Sequence, residues 1–159
     1  MFGKHTYGDP IIHWGEPNSK LHIGNYCSLG DNEQIYLNGG NIITKDHKWL
    51  IPLCNGTVTI GNDIWIGANV TIMPGITISD GSTIANGTCI VQDVKPYSFV
   101  SGKFGDIVSF KFNKKQIKAL LKIQWWNWSD EKIQEYTHLL NGNIDTFLSA
   151  LSDFKALEL

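Results

Sequence analysis

One histidine in a polar stretch is the side chain of this sequence best suited to acid–base chemistry. The stretch from Asn41 to Val58 reads NIITKDHKWLIPLCNGTV, and His47 is its only histidine. A neutral imidazole accepts a proton near neutral pH because its unperturbed pKa lies at about 6.5. We therefore predict His47 to be a general base; the alternative is a loop histidine that only faces solvent.

The other histidines and the cysteines do not form the pattern of a metal site. The three cysteines, at positions 27, 54 and 89, are far apart and include no Cys-x-x-Cys pair. This pattern suggests neither a disulfide framework nor a zinc site. His5, His13 and His22 lack the paired spacing of a three-histidine zinc centre. We predict no metal, and we interpret His5 and His13 as surface or packing residues.

The composition limits the kinds of molecule that this chain is expected to bind. The chain has 159 residues, which suits a single domain, and a net charge of −2. All 13 basic residues are lysine, so the bidentate guanidinium clamp for phosphate is missing. We expect no nucleic-acid partner. The sequence has no signal peptide and no apolar run near the length of a membrane span, so we predict a cytoplasmic protein without membrane insertion.

A six-residue repeat between Ile60 and Val100 must supply the scaffold. Isoleucine stands at 60, 66, 72, 78, 84 and 90, and corner-forming pairs lie between them: Asn62-Asp63, Ala68-Asn69, Pro74-Gly75, Asp80-Gly81, Asn86-Gly87 and Gln92-Asp93. A helix needs a period near 3.6 and a strand a period of 2, so six predicts short strands joined by corners. Such units bury a core only by stacking, which predicts a hexapeptide solenoid with about 18 residues per coil.

The extent of the repeat also predicts where the other parts of the chain begin and end. Residues 21–40 continue it, and residues 41–58 interrupt it, so we predict a loop excursion there on a rigid scaffold. After Val100 the period changes. Asn113 is predicted to cap a helix over 114–124, Ser129 a second, and 143–151 a third. We predict one domain, with a β-helix over 1–112 and helices over 113–159, and we expect Trp125, Trp126 and Trp128 to be core residues.

The run IGNDIWIGANVTIMPGITISDGSTIANG resembles the hexapeptide-repeat acyltransferases. The tail segments KPYSFVSG and LLKIQWWNW are similar to those of the xenobiotic acetyltransferase and sugar O-acetyltransferase branch. The resemblance implies a mainly β fold, a left-handed parallel β-helix with a protruding loop and a C-terminal α-helical segment. It also implies a homotrimer whose active sites lie between neighbouring subunits.

The activity implied by the resemblance is acetyl transfer from acetyl-CoA to a hydroxyl or amine of a sugar or nucleotide sugar. Surface polysaccharide biosynthesis is the role we expect. Acetylation of a foreign compound such as an antibiotic is one alternative. A non-catalytic β-helix that serves as a structural or assembly module is the other.

The resemblance places the acceptor site in the excursion. Relatives carry their base in a pattern like GGNH, whereas this chain has Ile42 at that position. The segment from Thr44 to His47 is similar to another pattern of the superfamily, T-x-D-H, which again favours His47 as the base. Asn41 and Trp49 are predicted to contact the acceptor. Ile42 favours the non-catalytic alternative.

The resemblance places acetyl-CoA along the repeats. Trp65 of IWIG is expected to line the pantetheine groove, with the backbone of Ala68 against the pantetheine arm and Asn86 one coil further on. Val91 and Gln92 stand where relatives often have Thr-Lys, so the cation expected at 92 is absent. Lysines further along would then meet the CoA phosphates, and Lys111 is the one we assign to the site; Lys103, Lys114 and Lys115 are the other candidates.

Overall fold

The computed structural model of the chain describes residues 2–15, 19–38 and 56–155, with side chains up to residue 151. The chain divides into two compact units, Met1–Lys111 and Phe112–Leu159. The first unit is made of strands and the second of helices. Each is described below by itself.

Twelve strands of the first unit form three sheets. They are β1 (Ile11–His13), β2 (Lys20–Ile23), β3 (Ser28–Leu29), β4 (Gln34–Tyr36), β5 (Thr57–Ile60), β6 (Trp65–Ile66), β7 (Thr71–Ile72), β8 (Thr77–Ile78), β9 (Thr83–Ile84), β10 (Cys89–Ile90), β11 (Ser98–Ser101) and β12 (Asp106–Phe110). Sheet A has the order β2-β5-β8, sheet B β12-β11-β9-β6-β3 and sheet C β1-β4-β7-β10. All neighbours are parallel except β11 and β12, which are antiparallel.

The chain visits sheets A, B and C in turn, so successive strands build coils. Thr59 pairs with Thr77, Trp65 with Thr83 and Thr71 with Cys89. The same step of 18 residues joins the corners of these coils. The coil length therefore agrees with three hexapeptides per turn, as the spacing of the isoleucines predicts.

The repeated isoleucines fill the inside of the coils. Those at 60, 66, 72, 78, 84 and 90 are each at most 1% exposed. The residues four positions later, from Ile64 to Val94, are buried as well. A column one side chain wide is buried only because each coil covers the next, and the inward register predicted from the sequence is confirmed.

Corners occur where the sequence predicts them. The backbone φ is positive at the second residue of five predicted pairs: Asp63, Asn69, Gly75, Gly81 and Gly87. This left-handed region suits Asn, Asp and Gly. At the corner between sheets A and B, the Asn25 N–H donates to Asn62 Oδ1 at 2.8 Å and the Asn62 N–H donates to Asp80 Oδ1 at 2.7 Å. Side chains of each coil thus satisfy the amides of the coil before it.

The step between the second and third coils is longer. β2 pairs with β5 and β4 with β7 across 37 residues instead of 18. The sequence-based boundary of the excursion, 41–58, needs correction at its end. β5 begins at Thr57, and Val58 is fully buried opposite Leu21, because these two residues already belong to the third coil.

One inward position carries an acid. Glu33 lies just before the Gln34–Thr71 pair, so it is aligned with Val70, and it is 1% exposed. Its two carboxylate oxygens make no hydrogen bond of good geometry within the part of the chain that the structure describes, although the nearby Gly30 backbone N–H partly opposes the rise of its pKa. Burial raises the pKa of Glu33 to about 7, because the charged form loses its hydration there.

We expect Glu33 to make the fold less stable at pH 8 than at pH 5. A folded-state pKa above the unfolded value gives stability that is present at low pH and is lost as the pH rises through about 7. The loss amounts to about 2–3 kcal/mol. Glu33→Gln should remove this component from the free energy of unfolding, measured in urea at both pH values. Glu135→Gln, at an exposed helical site, is the matched control and should leave the difference as in wild type.

The second unit contains α1 (Lys114–Ile123), α2 (Asp130–Leu140) and α3 (Ile144–Lys155). The caps predicted at Asn113 and Ser129 are both present, the first as a capping box with Gln116. Trp126 is 1% exposed, and Trp128 packs edge-on against Tyr136 with ring centroids 5.3 Å apart. No helix within the described ranges is long and apolar enough to span a bilayer.

Candidate active site

Trp65 lies on the outer face of sheet B. It begins β6, where its backbone pairs with Ser28 on one side and Thr83 on the other. Ile66, the next residue, points inward, so the indole points outward and is 46% exposed. Its position therefore allows the contact with a ligand that the sequence predicts.

Ala68 and Asn86 meet at the corner between sheets B and C. The Ala68 N–H donates to Asn86 Oδ1 at 2.9 Å, and the Gly87 N–H donates to the Ala68 carbonyl at 2.9 Å. The two residues share a corner because they are 18 positions apart. The backbone N–H of Ala68 is thus already used by the protein, which the sequence does not reveal.

The backbone N–H of Asn86 is open. Thr83 pairs with Phe99 and Ile84 with Val100, so Asn86 is aligned with Gly102, which has no side chain to accept a hydrogen bond. No acceptor for the Asn86 N–H occurs among residues 2–15, 19–38 and 56–155. The corner therefore presents one unused donor, directly beside Ala68.

Val91 and Gln92 lie at a different corner. They follow β10 and precede Val94, which bridges to Ile78 in sheet A, so they form the corner between sheets C and A. Both are exposed. They are separated from Asn86 by one hexapeptide, and a hexapeptide carries the chain along one whole sheet. The structure consequently places sheet C between them and the corner of Ala68 and Asn86.

Lys111 lies near the third corner. Its N–H donates to the Tyr97 carbonyl at 2.8 Å. Burial lowers the pKa of Lys111, and the carboxylate of Asp63 opposes that shift. Burial in turn raises the pKa of Asp63 to about 6, with the charge of Lys111 opposing. The ammonium therefore has an internal counter-charge between sheets A and B, away from the corner of Ala68 and Asn86.

The predicted acceptor-site residues His47, Asn41 and Trp49 lie outside the described residues. The chain is described up to residue 38, just beyond β4, and again from Gly56, just before β5. The described strands on either side of these residues are β4 of sheet C and β5 of sheet A.

Sheet C carries a group of side chains for which the sequence predicts no site. We call His13, Trp14, Gln34 and Tyr36 the His13 cluster. His13 stacks on Tyr36 with ring centroids 4.5 Å apart and planes 13° from parallel, and its Nε2 lies 2.5 Å from Gln34 Oε1. β1 and β4 are paired 23 positions apart, outside the 18-residue spacing, so sequence distance gave no signal that these residues meet.

Within the described ranges, no group of three or more His, Cys, Asp or Glu side chains is placed to hold a metal ion. Proton transfer beside a bound ligand is the chemistry that a single imidazole supports.

Comparison with known proteins gives consistent matches. Residues 57–92 match the family model "Bacterial transferase hexapeptide (six repeats)". A probable macrolide acetyltransferase of Lysinibacillus sphaericus is 35% identical over 147 residues, which cover 82% of each chain. A chloramphenicol acetyltransferase of Klebsiella aerogenes is 33% identical over 132 residues, covering 72% of this chain and 63% of the relative.

Two solved structures are similar in fold and sequence. A hexapeptide-repeat acetyltransferase of Vibrio cholerae O1 biovar eltor, complexed with acetyl-CoA, has a TM-score of 0.59 and 27% identity, covering 70% of this chain and 60% of that one. A maltose O-acetyltransferase of Clostridium difficile 630 has a TM-score of 0.50 and 29% identity, covering 59% and 50%. This chain thus spans less than two thirds of either structure.

Proposed function

Because the chain belongs to the bacterial hexapeptide-repeat acetyltransferases, we propose that it transfers an acetyl group from acetyl-CoA to a hydroxyl or amine of a sugar. The observation that carries the proposal is the corner of Ala68 and Asn86, with its open backbone donor and the exposed Trp65 on the sheet beside it. Pantetheine is a narrow chain with two amides, which suits an exposed corner that offers an amide donor and an apolar ring.

Each residue has a role in this proposal. Trp65 covers one side of the pantetheine arm, the small side chain of Ala68 lets the arm approach the backbone, and the Asn86 N–H donates to an amide carbonyl. We propose weaker contacts to the phosphates of CoA, because position 92 is glutamine and the charge of Lys111 is already opposed by Asp63. The acetyl-CoA site we propose therefore rests on the pantetheine arm more than on the nucleotide end.

The reaction itself follows from the chemistry of a thioester. The acceptor oxygen or nitrogen attacks the thioester carbonyl and gives up its proton to His47. The carbon–sulfur bond then breaks, and the proton passes from His47 to the leaving thiolate of CoA. Asn41 and Trp49 orient the acceptor. We also propose that the β-helix is left-handed and that the chain forms a homotrimer in which a neighbouring subunit completes the site, as the resemblance to this family implies. We propose a cytoplasmic location, where acetyl-CoA is made.

Two acceptor classes receive support. The likeness to a maltose O-acetyltransferase supports a sugar, and a sugar or nucleotide sugar of surface polysaccharide biosynthesis is our first choice. The macrolide and chloramphenicol acetyltransferases among the relatives support a xenobiotic acceptor. A thiol-release assay with both classes decides between them. If CoA thiol is released with a drug as acceptor but with none of the sugars, our first choice is wrong. If calorimetry shows no binding of acetyl-CoA, the protein is a structural module.

We expect Ala68→Trp to abolish acetyl-CoA binding while the fold is retained. The larger side chain would fill the space at the corner where the pantetheine arm approaches the backbone, whereas the inward residues around it are unchanged. Isothermal calorimetry measures the loss. Thr77→Trp, which places the same indole at an exposed residue of sheet A, is the control and should bind normally. An unchanged dissociation constant in Ala68→Trp would move the cofactor to another groove.

A further inference from the structure

We propose that the His13 cluster is a sugar-binding subsite that holds the ring of the acceptor. The inference rests on the proposed function and gives the acceptor a place in the fold. The three rings and one amide of the His13 cluster come from two adjacent strands, β1 and β4, and from Trp14, which directly follows β1. They form one continuous surface on sheet C.

The rings of the cluster leave an aromatic face open to a ligand. Trp14 meets Tyr36 edge-on, with centroids 5.1 Å apart and planes 60° apart, and Tyr36 stacks on His13. The indole is 60% exposed. At this exposure the indole keeps ring surface free for a ligand, and the apolar C–H face of a sugar ring packs on such a surface.

The exposure of Trp14, and not its backbone, distinguishes it from the other aromatic residues at corners. Its φ is 53°, and Tyr26 and Tyr97 have φ values of 57° and 54°, so this left-handed conformation is that of a solenoid corner. Tyr97 is 2% exposed, whereas the Trp14 side chain remains open to solvent.

A chain of hydrogen bonds fixes which nitrogen of His13 faces the ligand. Gln34 Nε2 donates to Asn32 Oδ1 at 2.8 Å, and Asn32 Nδ2 donates to Asn69 Oδ1 at 2.7 Å. The remaining amide oxygen, Gln34 Oε1, can only accept, so His13 Nε2 donates to it. In a neutral ring Nδ1 then carries the lone pair, and it can accept a hydrogen bond from a sugar hydroxyl.

The same chain of hydrogen bonds connects the cluster with the proposed cofactor corner. It ends at Asn69, the residue that directly follows Ala68. The cluster therefore spans sheet C, with Trp14 at the end away from the corner of Ala68 and Asn86, and an acceptor bound to it would extend along the sheet towards the pantetheine arm. The groups of the cluster carry amide, imidazole, phenol and indole functions, which match an uncharged polyol better than a phosphate or carboxylate.

Saturation-transfer NMR on the full chain tests the subsite without acetyl-CoA, using maltose and methyl β-galactoside as probes. We expect transfer to at least one sugar in the wild type and none in Trp14→Ala. His13→Phe keeps the stacking on Tyr36 and removes the ring nitrogens, so it should weaken sugar binding by roughly tenfold, the effect of one hydrogen bond. In turnover, both variants should raise the KM of the acceptor more than they change kcat.

Trp65→Ala provides the reciprocal control. It should weaken acetyl-CoA binding in calorimetry and leave the sugar signal as in wild type, whereas Trp14→Ala should do the reverse. A wild-type chain that binds sugar through Trp14 but never binds acetyl-CoA would contradict the proposed function and support the subsite. Equal sugar signals in wild type and Trp14→Ala, no sugar signal in the wild type, or binding of chloramphenicol in place of both sugars would overturn the subsite. Circular dichroism confirms that each variant is folded.

Discussion

Replacing Ile72 with aspartate is expected to prevent the chain from folding. Ile72 is fully buried and pairs with Ile35 in the coil before it and Ile90 in the coil after it. A carboxylate at this position would have apolar neighbours on both sides and no water. Burying an unpaired charge costs several kcal/mol, which is comparable with the stability of about 5–15 kcal/mol of a whole domain.

Circular dichroism and sedimentation of the expressed variant would measure this loss of structure. Thr71→Asp is the matched control. Thr71 precedes Ile72 in β7, points to the other face of sheet C and is only partly buried, so its aspartate remains hydrated. A soluble Ile72→Asp protein with the melting temperature of the wild type would show that the side chains of β7 have the opposite orientation.

Replacing His47 with alanine is expected to lower turnover by about 10²–10⁴-fold, the usual contribution of a general base. Acetyl-CoA affinity should change little, because the proposed pantetheine corner of Ala68 and Asn86 belongs to the rigid coils. In the wild type, activity should fall as the pH drops below about 6.5, the unperturbed histidine pKa, since a protonated ring cannot accept the acceptor's proton. Steady-state kinetics of thiol release at pH 5 to 8 would measure both effects.

His22→Ala is the control for the histidine experiment. His22 is exposed on sheet A, where it is paired with Thr59, and no role in the reaction is proposed for it, so turnover should remain near wild type. If His47→Ala retains full turnover on its true acceptor, another group is the base. If the wild type binds acetyl-CoA but acetylates nothing, Ile42 marks a lost active site.

The period of the isoleucines was sufficient to predict the inside of the coils. Ile66 and Ile84 lie where a count of six places them, because stacking leaves only one inward column for each sheet. The same repeat explains why Glu33 points inward, because Glu33 stands four residues after Leu29, as Ile64 stands four residues after Ile60. The sequence alone could not show that its carboxyl lacks a hydrogen bond of good geometry, since that depends on which polar groups come near in the folded coils.

The site was harder to predict than the coils. Ala68 and Asn86 are one coil apart and do meet, but Val91 lies one hexapeptide beyond Asn86 and so reaches another corner. The antiparallel strand β12 was not predicted either. All five of its residues are exposed, so it lacks the alternation of buried and exposed side chains by which strands are recognised. The contact of His13 with Gln34 depends on an irregular first coil.

The long step between the second and third coils has a thermodynamic consequence. The entropy lost when two segments of a flexible chain are brought together grows only with the logarithm of the residues between them. Extending one step from 18 to 37 residues is about a doubling, and it costs roughly 0.6 kcal/mol. The other steps between described strands remain short, from 16 residues between β9 and β11 to 23 between β1 and β4. A stack of coils can therefore acquire an inserted segment at a single step, and vary its sequence and length during evolution, while the cooperativity of the stack is almost unaffected.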